Sequence, residues 1–187
     1  ATIVFVNKVD RENAEYGRVL EQVRELFGKQ CVAVNVPLGA EAQFEGVASL
    51  LGTGTPAESS AYIEQLAEAV AETNDALTEK YLEAGELSRE ELAQGLGEGV
   101  RSGSIVPVLA GSATQRKGVE ELLDAIVEYF PSPDERPAST VSKDGPGQEL
   151  SADSNSPLAA LVFKTAADPY VGKLTYFRIY SGTFKAN

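Results

Sequence analysis

The sequence predicts an α/β fold that leads into a short all-β region. The chain opens with an uninterrupted β-branched and aromatic run, residues 2–6, which has the composition of a buried parallel strand. A second apolar run, residues 105–110, follows after a series of amphipathic helical patterns. Beyond residue 157 the pattern changes to short strands. We therefore expect a parallel sheet with helices, followed by the beginning of a β-rich part.

Polar residues follow the first strand directly, in the order Asn7-Lys8-Val9-Asp10. Open α/β sheets bind ligands at the carboxyl ends of their strands. The Asp10 carboxylate can accept two parallel bonds from the N1–H and 2-amino groups of guanine, and the apolar stem of Lys8 can cover the purine face. The Asn7 amide can tie neighbouring loops together. The same residues also fit an Asx-turn with a helix cap, and this segment alone leaves both interpretations open.

The next elements are predicted from periodicity and from residues that terminate helices and strands. A helical pattern after Asp10 ends at Gly28, and its apolar face contains Tyr16, Val19, Leu20, Val23 and Phe27. Residues 31–36 are typical of a strand that Pro37 stops, and residues 38–60 have little pattern, with a loop over 52–56. One long amphipathic helix is then expected from Ser59 or Ser60 to Gly85.

The remaining elements lead to a change of fold type. Ser88 and Glu91 form a capping-box pattern that opens a helix to about Arg101. Pro107 within the 105–110 strand predicts a sheet edge or an interrupted ladder. The helix predicted over 119–130 would turn an apolar set inward: Leu122, Leu123, Ile126, Val127 and Phe130. Residues 131–157 have linker composition, and strands are predicted over 158–165 and 173–181, joined by a turn at 168–172.

Composition and charge exclude several classes of function. The net charge of −12 argues against nonspecific nucleic-acid binding, and we expect no DNA partner. Eleven acidic residues against two basic ones between Glu58 and Glu98 supply nine of these charges. The chain has no histidine and a single cysteine, Cys31, so we expect no Cys/His metal site and no His-dependent catalysis. No apolar stretch is long enough to span a bilayer, so we expect no membrane partner. The single cysteine fits a reducing compartment, and we expect a cytoplasmic protein.

A second polar loop, Gly111-Ser112-Ala113, follows the second apolar strand and supports the guanine interpretation. The backbone N–H near Ala113 can donate to guanine O6, which adenine lacks, and the Ser112 hydroxyl can hold Asp10 in its working rotamer. A site that bonds both guanine-specific groups can reject adenine by on the order of 10⁴, because the wrong base leaves buried polar groups unpaired.

At these residues the chain resembles bacterial elongation factor G, a translational GTPase, over essentially its whole length. The resemblance begins at 7–10 and includes Val36-Pro37-Leu38-Gly39 and the stretch 75–82. It continues through 111–113, Lys117-Gly118-Val119, 129–133 and 157–161. Its most specific stretches are 168–174 and 180–183.

The resemblance implies a division of the chain into parts. Residues 1–10 and 103–133 would form the carboxyl-terminal part of a P-loop GTPase domain, and residues 11–102 an inserted α+β subdomain. Residues 134–156 would be a linker, and residues 157–187 the first strands of a β-barrel second domain. The absence of Met and the start of the chain within a strand indicate an internal piece of a longer protein.

The resemblance also implies an activity for the parent protein. The parent would bind GTP or GDP, with Mg²⁺, and hydrolyse GTP on the ribosome during translocation. This chain has no G-x-x-x-x-G-K-[ST] phosphate loop, so we expect no catalytic residue, no metal ligand and no hydrolysis in the piece itself. Its base contacts alone would give about millimolar affinity, roughly −4 kcal/mol.

One departure and two alternatives complete the sequence-based hypotheses. Thr114-Gln115-Arg116 stands where the family usually has a large apolar residue, a basic residue and Asn, which is more similar to divergent elongation-factor-G-like paralogues.

The first alternative is a docking module without nucleotide binding. In the resembling family the inserted subdomain contacts the ribosomal stalk protein, which here would meet an acidic stripe: Glu68, Glu72, Asp75 and Glu79. The second alternative is a ribosomal-protection or recycling GTPase.

Overall fold

The chain contains two compact units, residues 1–130 and 131–187. The structure, a computed structural model, describes residues 1–52, 55–135, 138–140, 147 and 149–185. The strands are β1 Val4–Val6, β2 Cys31–Ala33, β3 Asn35–Leu38, β4 Gly46–Ser49, β5 Val106–Ala110, β6 Ala138–Ser139, β7 Glu149–Leu150, β8 Ala159–Asp168 and β9 Gly172–Ser181. The α-helices are α1 Tyr16–Phe27, α2 Ser60–Ala71, α3 Asp75–Ala84, α4 Arg89–Ser102 and α5 Val119–Tyr129. The predicted α/β class is confirmed.

A parallel three-stranded sheet in the order β1-β5-β2 forms the centre of the first unit. Its middle strand is among the most buried parts of the chain, with Val108, Leu109 and Ala110 at 1% exposure or less. This burial matches the continuous apolar run in the sequence, since a strand with neighbours on both sides and covered faces has no polar face.

Pro107 lies in this central strand, so the expected sheet edge is wrong. The neighbouring Val106 N and Val108 O both bond toward the β2 side, to Gln30 O and Val34 N. In a parallel ladder alternate residues bond to opposite sides, so the Pro107 nitrogen faces the β1 side. The register with β1 begins only at Val4↔Val108, one residue later, and Pro107 therefore removes no bond from that ladder.

The predicted strand over 31–36 is two strands that belong to different sheets. β2 ends at Ala33, and β3 pairs with β4 as an antiparallel hairpin. Pro37 does not stop β3, because a two-stranded hairpin leaves one side of each strand unpaired. The hairpin also places a strand inside the segment 38–60, where the sequence shows little pattern. In the predicted loop 52–56, Thr53 and Gly54 lie outside the described residues.

The single helix expected between Ser60 and Gly85 is also two helices, α2 and α3. Asn74 separates them because its extended backbone and its Oδ1, which accepts from Leu77 N at 2.9 Å, make it the N-cap of α3. The helix that follows, α4, has the predicted capping box: Ser88 Oγ accepts from Glu91 N, and the Glu91 carboxylate accepts from Ser88 N.

Two of the predicted apolar helix faces are wrong in part. α1 begins at Tyr16 and buries Tyr16 and Leu20, whereas Phe27 is 63% exposed. α5 buries Ala125 and Tyr129, and three residues predicted to face inward are exposed: Leu123, Ile126 and Val127. Periodicity defines an apolar stripe, but the position of the neighbouring elements decides which part of that stripe is covered.

In its described residues the second unit contains two antiparallel strand pairs. β8 and β9 are close to the predicted strands, and Asp168 Oδ1 forms the turn between them by accepting from Tyr170 N and Val171 N. Within the predicted linker 134–156, β6 and β7 pair over two residues, and much of that linker lies outside the described residues. The β-barrel and the domain boundaries stay predictions. β2, inside the predicted insertion 11–102, is hydrogen bonded to β5.

Candidate functional site

The loops after β1 and β5 lie side by side, because the two strands are parallel neighbours and end at the same edge of the sheet. The pairing extends past both strands: Gly111 N donates to Val6 O at 3.0 Å, and Val9 N donates to Gly111 O at 3.3 Å. These bonds bring the segments 7–10 and 111–113, which are 101 residues apart at their nearest ends (111 − 10), into one site.

Asn7 connects the two loops through its side chain. Asn7 Oδ1 accepts from Lys8 N at 2.8 Å and from Ala113 N at 3.0 Å. The first bond fixes the turn after β1, and the second bond fixes the other loop against it. The Ala113 N–H, which we expect to donate to guanine O6, is therefore engaged by Asn7 in this arrangement.

Each loop contains a non-glycine residue in the left-handed backbone region. Lys8 has φ 67° and Arg116 has φ 56°. Residues with a Cβ atom rarely adopt this backbone conformation, and those that do are concentrated at functional sites. The Lys8 side chain is exposed and so is accessible to a ligand.

Asp10 has one carboxylate oxygen with a partner and one without. Oδ2 accepts from Gln115 Nε2 at 3.3 Å. Oδ1 is buried and accepts no hydrogen bond from any described residue. The pKa of Asp10 lies below its ordinary value, chiefly because of the nearby Ser112 hydroxyl, against a smaller opposing effect of burial. That hydroxyl bonds to Thr114 Oγ1 and makes no hydrogen bond with Oδ1, so it favours the charged carboxylate without filling the position on Oδ1. The carboxylate is thus charged at neutral pH and has a free acceptor position.

Ser112 is fully buried and organises the second loop. Its Oγ bonds to Thr114 Oγ1 at 3.1 Å and accepts from Gln115 N at 3.3 Å, so the prediction that it holds the Asp10 rotamer stays a prediction. Its backbone pairs with Lys117 in both directions, which closes the loop. Lys117 Nζ in turn donates to Phe44 O at 2.8 Å and ties the loop to the β3–β4 hairpin.

Sequence reasoning missed Asn35, which holds the end of the strand that leads into the site. The side chain is 1% exposed; its Oδ1 accepts from Ala110 N at 2.7 Å, and its Nδ2 donates to Ala110 O at 3.4 Å. These bonds hold the end of β5, directly before the loop 111–113. A polar Asn within an apolar run was the signal available in the sequence.

Comparison with known proteins identifies the family of this site. Residues 1–132 match the family described as the elongation factor Tu GTP binding domain. The chain belongs to this family. Members of the family are GTPases that bind GTP or GDP, and the match supports a translational GTPase.

A solved structure extends this likeness over nearly the whole chain. The crystal structure of the protein ttk003000868 from Thermus thermophilus superposes with a TM-score of 0.70 at 29% sequence identity. The match covers 97% of this chain and 27% of the Thermus chain. The chain thus spans about a quarter of the length of that protein.

The acidic residues expected to form a stripe on one helix are divided between two helices. Glu68 lies on α2, Glu72 caps that helix, and Asp75 and Glu79 lie on α3 beyond the break at Asn74. All four side chains are exposed. Their separation into two helices removes the single i+3/i+4 row that the sequence suggested, and their docking role stays a prediction.

The Mg²⁺ that this GTPase family usually binds has no evident ligand set in the part of the chain that the structure describes. Across those residues no group of three or more His, Cys, Asp or Glu side chains could hold a metal ion. Asp10 has one carboxylate oxygen without a partner among the described residues, which suits a ligand that donates hydrogen bonds. None of the described helices is long and apolar enough to cross a membrane.

Proposed function

We propose that this chain is the guanine-recognition part of an elongation-factor-G-like translational GTPase, and that Asp10 binds the base. The observation that carries the proposal is the buried Asp10 Oδ1, which has no hydrogen-bond partner among the described residues. A buried acceptor without a donor is uncommon in a folded protein and requires an explanation. A ligand donor is the explanation that fits its position at the ends of two parallel strands.

Guanine has the donors that this carboxylate needs. Its N1–H and 2-amino N–H are parallel, so they match the two oxygens of Asp10, whereas the corresponding edge of adenine has an acceptor at N1. The charged state that such bonds require is favoured by the lowered pKa of Asp10. Ala113 N–H would serve O6 and Lys8 would cover the base, with Asn7 sharing or releasing its bond to Ala113.

The parent protein would hydrolyse GTP with Mg²⁺ on the ribosome during translocation, in the cytoplasm. The resemblance of residues 168–174 to elongation factor G supports this role over that of a ribosomal-protection or recycling GTPase. The free acceptor on Asp10 favours nucleotide recognition over a function limited to docking on the stalk protein, because docking through α2 and α3 would leave that acceptor unexplained.

Competition binding tests the proposal. The chain is titrated with a fluorescent GDP analogue, and GDP, ADP and XDP compete for the site. We expect GDP to compete best with the wild-type chain. In Asp10→Asn the preference should move toward XDP, because the new amide can donate to the 2-oxo group of xanthine. Asp124→Asn, which removes an exposed carboxylate on α5, should leave the preference unchanged. Equal competition by GDP and ADP would refute the proposal.

A further inference from the structure

One protein donor already occupies the carboxylate that we assign to guanine. Gln115 Nε2 lies 3.3 Å from Asp10 Oδ2, while Oδ1 is closed to water and has no partner in the described part of the chain. A ligand donor cannot reach a closed oxygen until a side chain moves. Two side chains act on this carboxylate, Ser112 and Gln115. Ser112 is fully buried, whereas Gln115 is exposed, so Gln115 is the group that a base would displace.

We infer that Gln115 is a gate over the base site. Its carboxamide N–H takes the place of one guanine N–H on Asp10, and the side chain swings into solvent when guanine binds. The inference rests on the proposed function of Asp10. It assigns to Gln115 a control of affinity that its sequence position, between Thr114 and Arg116, does not reveal.

The chemistry of the two donors makes the exchange possible. A carboxamide and the guanine edge both present planar N–H groups to a carboxylate, so either can satisfy the same oxygen. Gln115 offers one bond at a long distance, whereas guanine offers two parallel bonds that include Oδ1. The base therefore replaces one weak contact and supplies the missing one.

The backbone geometry restricts the movement to the Gln115 side chain. Gln115 N donates to Ser112 Oγ at 3.3 Å, and Ser112 is fully buried and paired to Lys117 through its backbone. The loop thus stays in place while the exposed Gln115 side chain changes rotamer. Because only the open fraction binds guanine, the closed gate weakens the apparent affinity in proportion to its population.

Substitution of Gln115 tests the gate. GDP and ADP affinities are measured for the wild type, Gln115→Ala and Gln94→Ala. Gln94 is a matched control, since its Nε2 donates to the Glu98 carboxylate at 3.0 Å on the exposed side of α4. We expect Gln115→Ala to bind GDP about threefold to tenfold more tightly, as removal of a competing hydrogen bond to a charged group predicts. ADP affinity should not change, and Gln94→Ala should match the wild type.

Each other result has a definite meaning. Unchanged or weaker GDP binding by Gln115→Ala would overturn the gate, and weaker binding would place Gln115 among the groups that contact the bound base. If Asp10→Asn still loses its guanine preference in that case, the proposed function stands without the gate. If neither the wild type nor Gln115→Ala prefers GDP over ADP, the proposed function fails and the gate with it.

Discussion

The Asn35 side chain pairs with the Ala110 backbone as a neighbouring strand would. Its Oδ1 accepts from Ala110 N at 2.7 Å and its Nδ2 donates to Ala110 O at 3.4 Å. This contact lies where the chain leaves β2 for the β3–β4 hairpin and β5 would otherwise lose its partner on that side. The Asn35 carbonyl also accepts from the Tyr16 hydroxyl at 3.2 Å, which ties α1 to the same point. One residue thus joins the sheet, the hairpin and the first helix below the site.

Asn35→Ala should destabilise residues 1–130. The substitution leaves the buried N–H and C=O of Ala110 unpaired, which predicts a loss of about 1–3 kcal/mol in the free energy of unfolding. Urea denaturation measures this loss, and hydrogen exchange at the Ala110 amide locates it. Gln22→Ala, on the exposed side of α1, is the control. Protection of the Ala110 amide equal to wild type would contradict the assigned role.

Ser112→Ala should raise the pKa of Asp10 toward its ordinary value, because the Ser112 hydroxyl is the main cause of its depression. A depressed carboxyl pKa stabilises the fold above the unfolded-state pKa, and this contribution is lost as the pH falls through the folded-state pKa. Because the proposed bonds to guanine require the charged carboxylate, the variant should also lose guanine binding at a higher pH on the acid side.

Carboxyl NMR titration measures this change. Asp168 is an internal control, since backbone N–H groups of Val171 and Tyr170 lower its pKa and Ser112 takes no part. An unchanged Asp10 titration in Ser112→Ala would show that the hydroxyl does not act on the carboxylate.

Tyr129→Phe should make residues 1–130 more resistant to alkali. Burial, followed by the nearby Glu128 charge, raises the pKa of Tyr129 to about 12. A tyrosine whose folded pKa lies above its unfolded value of about 10 contributes stability below that value, and the contribution is lost as the pH rises through the folded pKa. Phenylalanine has no hydroxyl to ionise, so the urea midpoint of the variant should fall less between roughly pH 10 and 12. Identical pH profiles of the two proteins would contradict the assignment.

Ser88→Ala should destabilise α4. The substitution removes the hydroxyl that accepts from Glu91 N, and caps of this kind contribute about 0.5–2 kcal/mol. Glu91 has a lowered pKa, first because of its bond from Lys80 and then because of the Ser88 backbone N–H. Thermal unfolding measures the loss. Glu90→Gln, in the same first turn but outside the box, should have a much smaller effect.

The local sequence was enough to predict features that depend on near neighbours. The capping box at Ser88 and Glu91, the β8–β9 hairpin with its Asp168 turn, and the α/β class all depend on contacts within a few residues or on strand composition. Membership of a translational GTPase family could also be inferred, because the motifs that carry it are short and contiguous. Each of these features is determined by the residues that form it and by their near neighbours in sequence.

Only the tertiary structure decided the features that join distant segments. The sequence could not show that Pro107 sits in a central strand, because this depends on where the β1 ladder begins. It could not show that Leu123, Ile126 and Val127 are exposed, since burial depends on which elements pack nearby. The same reason applies to Asn35 on Ala110 and Gln115 on Asp10, which are 75 and 105 residues apart. The sequence by itself determined which polar groups follow the strands of this protein; the fold decided which of them meet, because hydrogen bonds form between neighbours in space.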